Sequence, residues 1–146
     1  MEDIIQEKIS ADHLLYVSLK YTKTCDVIVN LLLRWGRMIE TSIDEILKHA
    51  KKKKKNFEIP DSPLRKIDKI KDLFKDNKNM QDTLEAYKMF RKIKDLKKDR
   101  IGEFRKNVTL KVYYQGKEVH INLEKLKEYA DMLEKFISDT KQYLVS

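Results

Sequence analysis

The stretch that decides the fold runs from residue 14 to residue 46 and reads LLYVSLKYTKTCDVIVNLLLRWGRMIETSIDEI. Apolar residues recur along it in steps of three or four, the spacing of one face of an α-helix. This stripe consists of Leu14, Val17, Tyr21, Cys25, Ile28, Leu32, Trp35, Ile39, Ile43 and Ile46. We therefore predict one helix of about 36 residues, roughly 50 Å long. It begins near His13, ends near His49, and could bend at Thr22–Thr24 or at Gly36.

The apolar face of this helix widens between Val27 and Trp35, where Val27 and Leu31 extend it. A face of that width has to be buried on more than one side. Other helices of the chain could cover it, or a second subunit could. We expect a homodimer on this ground.

Three further helices are predicted after residues 51–61, which we interpret as a loop because five successive lysines have no apolar face. Ser62 and Pro63 are a typical helix start, and that helix reaches about Asp76. Asn79 is placed as the cap of the next helix, whose apolar stripe includes Met80, Leu84, Tyr87, Phe90 and Ile93. With a break near Gly102, this helix could extend as far as Phe104.

The hydrophobic period then changes from helical to alternating. Val108, Leu110, Val112 and Tyr114 alternate with polar residues, and alternation resumes at Val119 after the link Gln115-Gly116-Lys117. This pattern predicts a β-hairpin, and Asn122 is placed as the cap of the last helix. The predicted fold is all-α: a single domain over residues 1–146, with about four main helices, a long first helix and a small β-hairpin before the last.

The composition points to an ordinary cytoplasmic domain. The chain has 146 residues, which fits one domain. Cys25 is the only cysteine, so no intrachain disulfide can form. The first residues lack the basic start and apolar run of a signal peptide, and no apolar run approaches the roughly 20 residues that span a bilayer. We expect a cytoplasmic location and no membrane partner.

The net charge of +8 is concentrated in two blocks. Residues 51–76 carry ten basic and five acidic side chains, and residues 86–111 carry ten and three. Clustered positive charge attracts polyanions, although it could equally serve only to keep the protein in solution. We predict that segments 51–55 and 88–106 bind nucleic acid. The predicted contacts are Lys51, Lys52, Lys53, Lys54, Lys55, Arg91, Lys94, Lys98, Arg105 and Lys106. No row of exposed aromatic residues is evident between them, so stacking on bases is not indicated.

Other chemistry is sparse. His13, His49 and His120 are scattered and are interpreted as surface residues, so we expect neither a metal site nor a cofactor. Cys25 lies on the apolar stripe and is interpreted as a small core residue. Asp26 could belong to a polar patch with the threonines before it.

Residues 100–111, RIGEFRKNVTLK, resemble the late helix junction of the HEPN superfamily (higher eukaryotes and prokaryotes nucleotide-binding). Arg105 and Asn107 match the Arg and polar residue of its motif, but no His occupies residues 110–112. The resemblance implies a helical bundle, often dimeric, whose active members cut RNA with that Arg and His. Without the His, it implies a non-catalytic domain that binds RNA.

Two alternatives remain open from the sequence. The protein could be a metal-independent ribonuclease in which Arg105 acts with His120 brought near by folding. It could instead be a protein-interaction module, such as an antitoxin or a scaffold. Arg105 could also have a purely structural role, capping carbonyl groups at a helix end.

Overall fold

Helices make up most of the structure, a computed structural model that describes residues Met1 to Ser146. They are α1 (Glu2–His13), α2 (Leu19–Tyr21), α3 (Cys25–Lys53), α4 (Pro63–Leu73), α5 (Lys78–Phe90) and α6 (Leu123–Leu144), with a π-helical segment, Leu14–Ser18, between α1 and α2. Strands β1 (Lys98–Ile101), β2 (Thr109–Tyr114) and β3 (Lys117–Ile121) form an antiparallel sheet in that order. The predicted helical bundle is confirmed, but the all-α class is only partly right because of this sheet.

The prediction of a single long first helix is wrong. The chain is already helical from Glu2, so His13 ends α1 instead of starting a helix. Helical geometry is lost at Thr22, and the chain reverses so that α1 packs antiparallel on α3. The Met1 amino group lies 3.0 Å from a Glu45 carboxylate oxygen. A continuous helix would leave the apolar residues of α1 in water. Folding back buries Ile4, Ala11, Leu15 and Leu19.

Threonine side chains account for the position of the break. Thr24 has an extended backbone, and its side-chain oxygen accepts a hydrogen bond from the Val27 amide, as expected of a helix N-cap. From Cys25, α3 continues without interruption through Gly36. A Cβ on Gly36 would lie 3.7 Å from the Phe90 Cβ, an ordinary van der Waals distance, so α5 packs against α3 at this position.

The caps of the later helices agree closely with the sequence. The Ser62 hydroxyl accepts from the Arg65 amide at the start of α4, and Asn122 accepts from Lys125 at the start of α6. The cap of α5 is Asn77, which accepts from Met80, and not Asn79. The amide of Asn79 instead donates to the carbonyl of Met132 and so ties α5 to α6.

The third strand replaces the predicted extension of α5. That helix ends at Phe90, and residues 91–96 form turns. β1 then pairs with β2, with Arg100 opposite Leu110. The predicted β-hairpin is confirmed: Val112 lies opposite Val119. Edge pairing satisfies the backbone of β2 on both sides, which a two-stranded hairpin could not do.

The core surrounds α3, and its aromatic centre joins three helices. Phe90 on α5 and Tyr129 on α6 have ring centroids 5.1 Å apart, and Trp35 on α3 lies about 6 Å from both. Leu31 and Leu32 are fully buried. The broad apolar face that suggested a homodimer is thus largely covered within one chain.

Cys25 is fully buried, as predicted, its thiol lies 3.4 Å from the Thr109 carbonyl, and burial raises its pKa. None of the helices combines the length and the apolar character that crossing a bilayer requires.

Candidate nucleic-acid interface

The lysine run and the β1 part of the second basic segment lie at opposite ends of α3. Arg100 on β1 pairs with Asp26 in the first turn of this helix, 2.5 Å apart, whereas Lys51, Lys52 and Lys53 form its last turn. At 1.5 Å per residue the two ends are about 40 Å apart. The segments therefore form two separate surfaces.

Asp26 does belong to a polar patch, but with Arg100 and not with the threonines before it. The Arg100 guanidinium also pairs with Glu103 at 3.3 Å. Hydrogen bonding to Arg100 holds the pKa of Asp26 below its usual range, and the same contact raises the pKa of Arg100. This arrangement fixes the edge strand to the start of α3 and takes Arg100 out of the set of free cations.

The lysine run at residues 51–55 is not the loop that the sequence predicted. Its first three residues continue α3, and Lys54 is the C-cap. Cations are favourable there because the helix dipole places partial negative charge at the C-terminus. All five side chains are exposed and none forms an ion pair, although Lys53 donates to the Ser146 hydroxyl. They remain available to an anionic ligand.

The basic residues of segment 88–106 do not share a helix face, because only the first part of the segment is helical. Lys98 is structural: its ammonium donates to the carbonyls of Ile93, Lys94 and Leu96 at 2.7, 3.1 and 2.8 Å and so holds the turn before β1. Arg91 and Lys94 are exposed on that turn and form no ion pair. The free cations of this segment are thus fewer than its composition suggests.

Arg105 and Lys106 lie in the loop between β1 and β2, and their side chains are exposed and free of ion pairs. Arg105 caps no helix, which removes the structural role considered above. The loop turns tightly because Gly102 has φ of +64°. Phe104 follows with φ of +68°, in the left-handed region that bulky residues rarely adopt. Its ring is 75% exposed.

A backbone contact brings this loop to the break between α2 and α3. The Phe104 amide donates to the Lys23 carbonyl at 2.6 Å. Tyr21, which is 79% exposed, ends α2, and the Lys20 ammonium lies 6.0 Å from its ring centroid. We name the aromatic and cationic residues within three positions of this contact the Phe104 cluster. It consists of Lys20, Tyr21, Lys23, Phe104, Arg105 and Lys106.

Sequence reasoning missed this cluster and with it the exposed aromatic rings. The apolar spacing predicts Tyr21 in the buried stripe of one long helix and Phe104 at the end of another. The break at Thr22–Thr24 turns Tyr21 outward, and the loop does the same for Phe104. The polar neighbours of Phe104 were the signal available, since an aromatic ring flanked by Glu, Arg and Lys has no local apolar partner.

The structure does not join Arg105 to His120. His120 lies on the outer face of the sheet, where its Nε2 is 3.5 Å from a Glu118 carboxylate oxygen. Lys111, opposite His120 in the sheet, also pairs with Glu118 and is the main cause of the lowered pKa of that carboxylate. No hydrogen bond or ion pair links Arg105 to this group. No group of three His, Cys, Asp or Glu side chains is close enough to bind a metal ion.

The chain matches no protein-family model, no curated protein and no solved structure. The HEPN resemblance therefore stays a prediction.

Proposed function

We propose that this protein binds single-stranded nucleic acid, RNA in the first instance, at the Phe104 cluster, with Lys51–Lys55 as a second, electrostatic contact. Proteins of this class combine cations that follow the backbone with aromatic rings on which bases stack. The cluster offers both within one surface. Binding without cleavage is favoured because the Arg105 side chain forms no hydrogen bond or ion pair with a group that could serve as general acid or base.

The conformation of Phe104 is the observation that carries the proposal. The ring is exposed, so its burial contributes little to the free energy of folding. The left-handed backbone costs a residue with a Cβ roughly 1–2 kcal/mol, a cost that glycine would avoid. Folding alone therefore does not account for a phenylalanine at this position, and strain of this kind is typical of functional sites.

Fluorescence anisotropy with a labelled single-stranded RNA, at several salt concentrations, tests the proposal. The cluster contains four cations, so a short strand should give a slope of log affinity against log salt of about −3. A strand long enough to reach across about 40 Å to Lys51–Lys55 should give a steeper slope. Equal slopes for both lengths would contradict the second contact.

Phe104→Gly separates stacking from folding. It removes the ring and relieves the backbone, so RNA affinity should fall about 5- to 150-fold, the equivalent of about 1–3 kcal/mol for one stacked base. The free energy of unfolding should not decrease. Lys75→Ala is the control, an exposed lysine in the turn between α4 and α5. No RNA binding at low salt would overturn the proposal.

The ribonuclease alternative requires Arg105 to take part in catalysis and not only in binding. If the protein cleaves RNA with Arg105 and His120, wild-type protein shortens the labelled strand on a gel and both alanine variants abolish the cut. Under the binding proposal the strand stays intact, and Arg105→Ala lowers only affinity and the salt slope.

A protein-interaction role is the second candidate, and the groove between α1 and α3 favours it. This cavity of about 620 Å³ is lined by Ile9, Leu14 and Leu33 together with polar groups that include His13 and Arg37. Ile9 is 55% exposed. We propose a second copy of the chain as the occupant.

Charge supports a pairing of two copies. In a two-fold antiparallel arrangement of α1, the acidic first turn of one copy, Glu2 and Asp3, faces the groove of the other, where Arg34 and Arg37 supply positive charge. Light scattering with size-exclusion chromatography should then show a dimer that Ile9→Glu dissociates. A wild-type monomer at every concentration would contradict the homodimer.

A further inference from the structure

A small apolar pocket lies beside the Phe104 cluster, where the π-helical segment leads into α2 and faces the start of α6. Its volume is about 230 Å³. Leu15, Leu19 and Leu123 line it, and the first two are almost fully buried. Tyr16 also lines the pocket and is 59% exposed. A π-helical segment is rare, and such segments are frequent at functional sites.

Three cations complete the lining, namely Lys20, Lys23 and Lys127, and no carboxylate is among the lining residues. None of the three lysines forms an ion pair elsewhere in the chain. The Lys23 ammonium donates to the Lys20 carbonyl at 2.6 Å, which holds that charge at the end of α2. The pocket thus combines an apolar floor with unneutralised positive charge.

This combination selects a ligand with a flat apolar body and an attached anion. We propose that the pocket binds one nucleoside monophosphate unit, with the base against the leucines and Tyr16 and the phosphate among the lysines. The volume of about 230 Å³ lies below the roughly 300 Å³ at which pockets for whole drug-sized ligands begin, so the base alone would fill the pocket and the phosphate would lie outside it, among the lysines. The inference rests on the proposed function, because Lys20 and Lys23 belong both to this pocket and to the Phe104 cluster.

The unit could be the phosphorylated end of a bound RNA strand or a free mononucleotide. Both present the same chemistry, and the experiment distinguishes them. The base analogue 2-aminopurine changes fluorescence when it stacks or leaves water. It is placed at the 5′-phosphorylated end of a short RNA, at an internal position of a second RNA, and in a free nucleoside monophosphate.

We expect the end-labelled strand to respond more than the internally labelled one, and an excess of unlabelled mononucleotide to reverse the response. Lys127→Glu should abolish it, while RNA affinity by anisotropy keeps its dependence on Phe104 and the salt slope changes by about 0.7 for one lost phosphate contact. Tyr16→Ala should reduce the response. Lys75→Glu is the matched control. Tyr16, Lys75 and Lys127 are all exposed, so these variants should fold.

The outcomes separate the two proposals. A response from the free nucleotide alone would assign the pocket to a free ligand. RNA binding by anisotropy with no fluorescence response from any probe would overturn the pocket and leave the proposed function standing. A fluorescence response from the free nucleotide without RNA binding would overturn the proposed function and leave the pocket proposal standing. A response that Lys127→Glu leaves unchanged would also overturn the pocket.

Discussion

The amide of Phe104 donates a hydrogen bond of 2.6 Å to the carbonyl of Lys23, and this contact joins the β1–β2 loop to the break between α2 and α3. Each of these segments is polar and would have little structure alone. Joined, they place two exposed aromatic rings and four cations within three residues of this contact along the chain. The contact therefore decides where the candidate interface lies.

Gly102→Ala tests whether the loop geometry matters. Gly102 has φ of +64°, and an added Cβ would lie 2.8 Å from Oδ1 of Asn107 and 3.2 Å from its backbone carbonyl oxygen, which cannot rotate away. We expect the variant to lose more than the roughly 1–2 kcal/mol that the left-handed backbone costs, and to bind RNA more weakly because the Phe104 cluster shifts. Urea unfolding and anisotropy measure the two effects.

Gly116→Ala is the matched control for that experiment. Gly116 also has positive φ, +75°, but nothing lies within 4 Å of an added Cβ. It should show only the backbone cost and keep wild-type RNA affinity. Equal loss of affinity in the two variants would show that the β1–β2 loop does not position the cluster.

Lys98→Met tests the structural role of that lysine. The change keeps the apolar stem and removes the ammonium that holds three carbonyls, so the free energy of unfolding should fall by about 1–3 kcal/mol. Lys94→Met, four residues earlier and without an ion pair, should stay within about 0.5 kcal/mol of wild type. Thermal or urea unfolding compares the two. Equal stability of both variants would mean that the carbonyls are as well satisfied by water.

Tyr129→Phe tests the alkaline limit of the core. Burial raises the pKa of Tyr129 from 10.0 to about 12, so the unfolded chain loses this proton first as the pH rises. The contribution of the protonated Tyr129 phenol to the free energy of unfolding is therefore fully present below about pH 10 and is lost as the pH rises towards 12. Phenylalanine has no proton to lose. Between about pH 10 and pH 12 the free energy of unfolding of Tyr129→Phe should therefore fall by about 1–3 kcal/mol less than that of the wild type.

Urea unfolding at pH 9 and upwards, about one pH unit below the transition, gives the comparison. Tyr87 also has its pKa raised to about 12, mainly by burial. Because Tyr87 is still present in Tyr129→Phe, this variant should still lose part of its stability at alkaline pH. Tyr21→Phe, at an exposed position, is the control and should follow wild type. An unchanged loss in Tyr129→Phe would contradict the buried, protonated phenol.

The helix caps show where local sequence was sufficient. Ser62 and Asn122 cap α4 and α6 as predicted, because a cap is satisfied by an amide three residues away. The β-hairpin was predicted for a similar reason, since a short Gly-containing link and alternation define it locally. The cap of α5 is Asn77 and not the predicted Asn79 because both asparagines offer the same local bond, and only the packing of α6 distinguishes them.

The candidate site was less predictable. Lys51–Lys55 could be named from composition alone, and these residues are exposed as expected. Composition could not show that the Lys98 ammonium donates to backbone carbonyls or that Arg100 is paired with Asp26. Such partners come from other elements, so a count of charges overstates the number that a ligand can reach.

The sequence by itself determined the apolar faces, most helix caps, the hairpin and the excess of positive charge, because each depends on residues within a few positions of one another. Tertiary structure decided that the long helix breaks and folds back, that β1 joins the sheet, and that Lys23 meets Phe104. The apolar spacing of residues 14–46 is satisfied equally by a straight helix and by two helices. The free energy of burying Ile4, Ala11, Leu15 and Leu19 against α3 distinguishes them, and it arises only when distant segments pack.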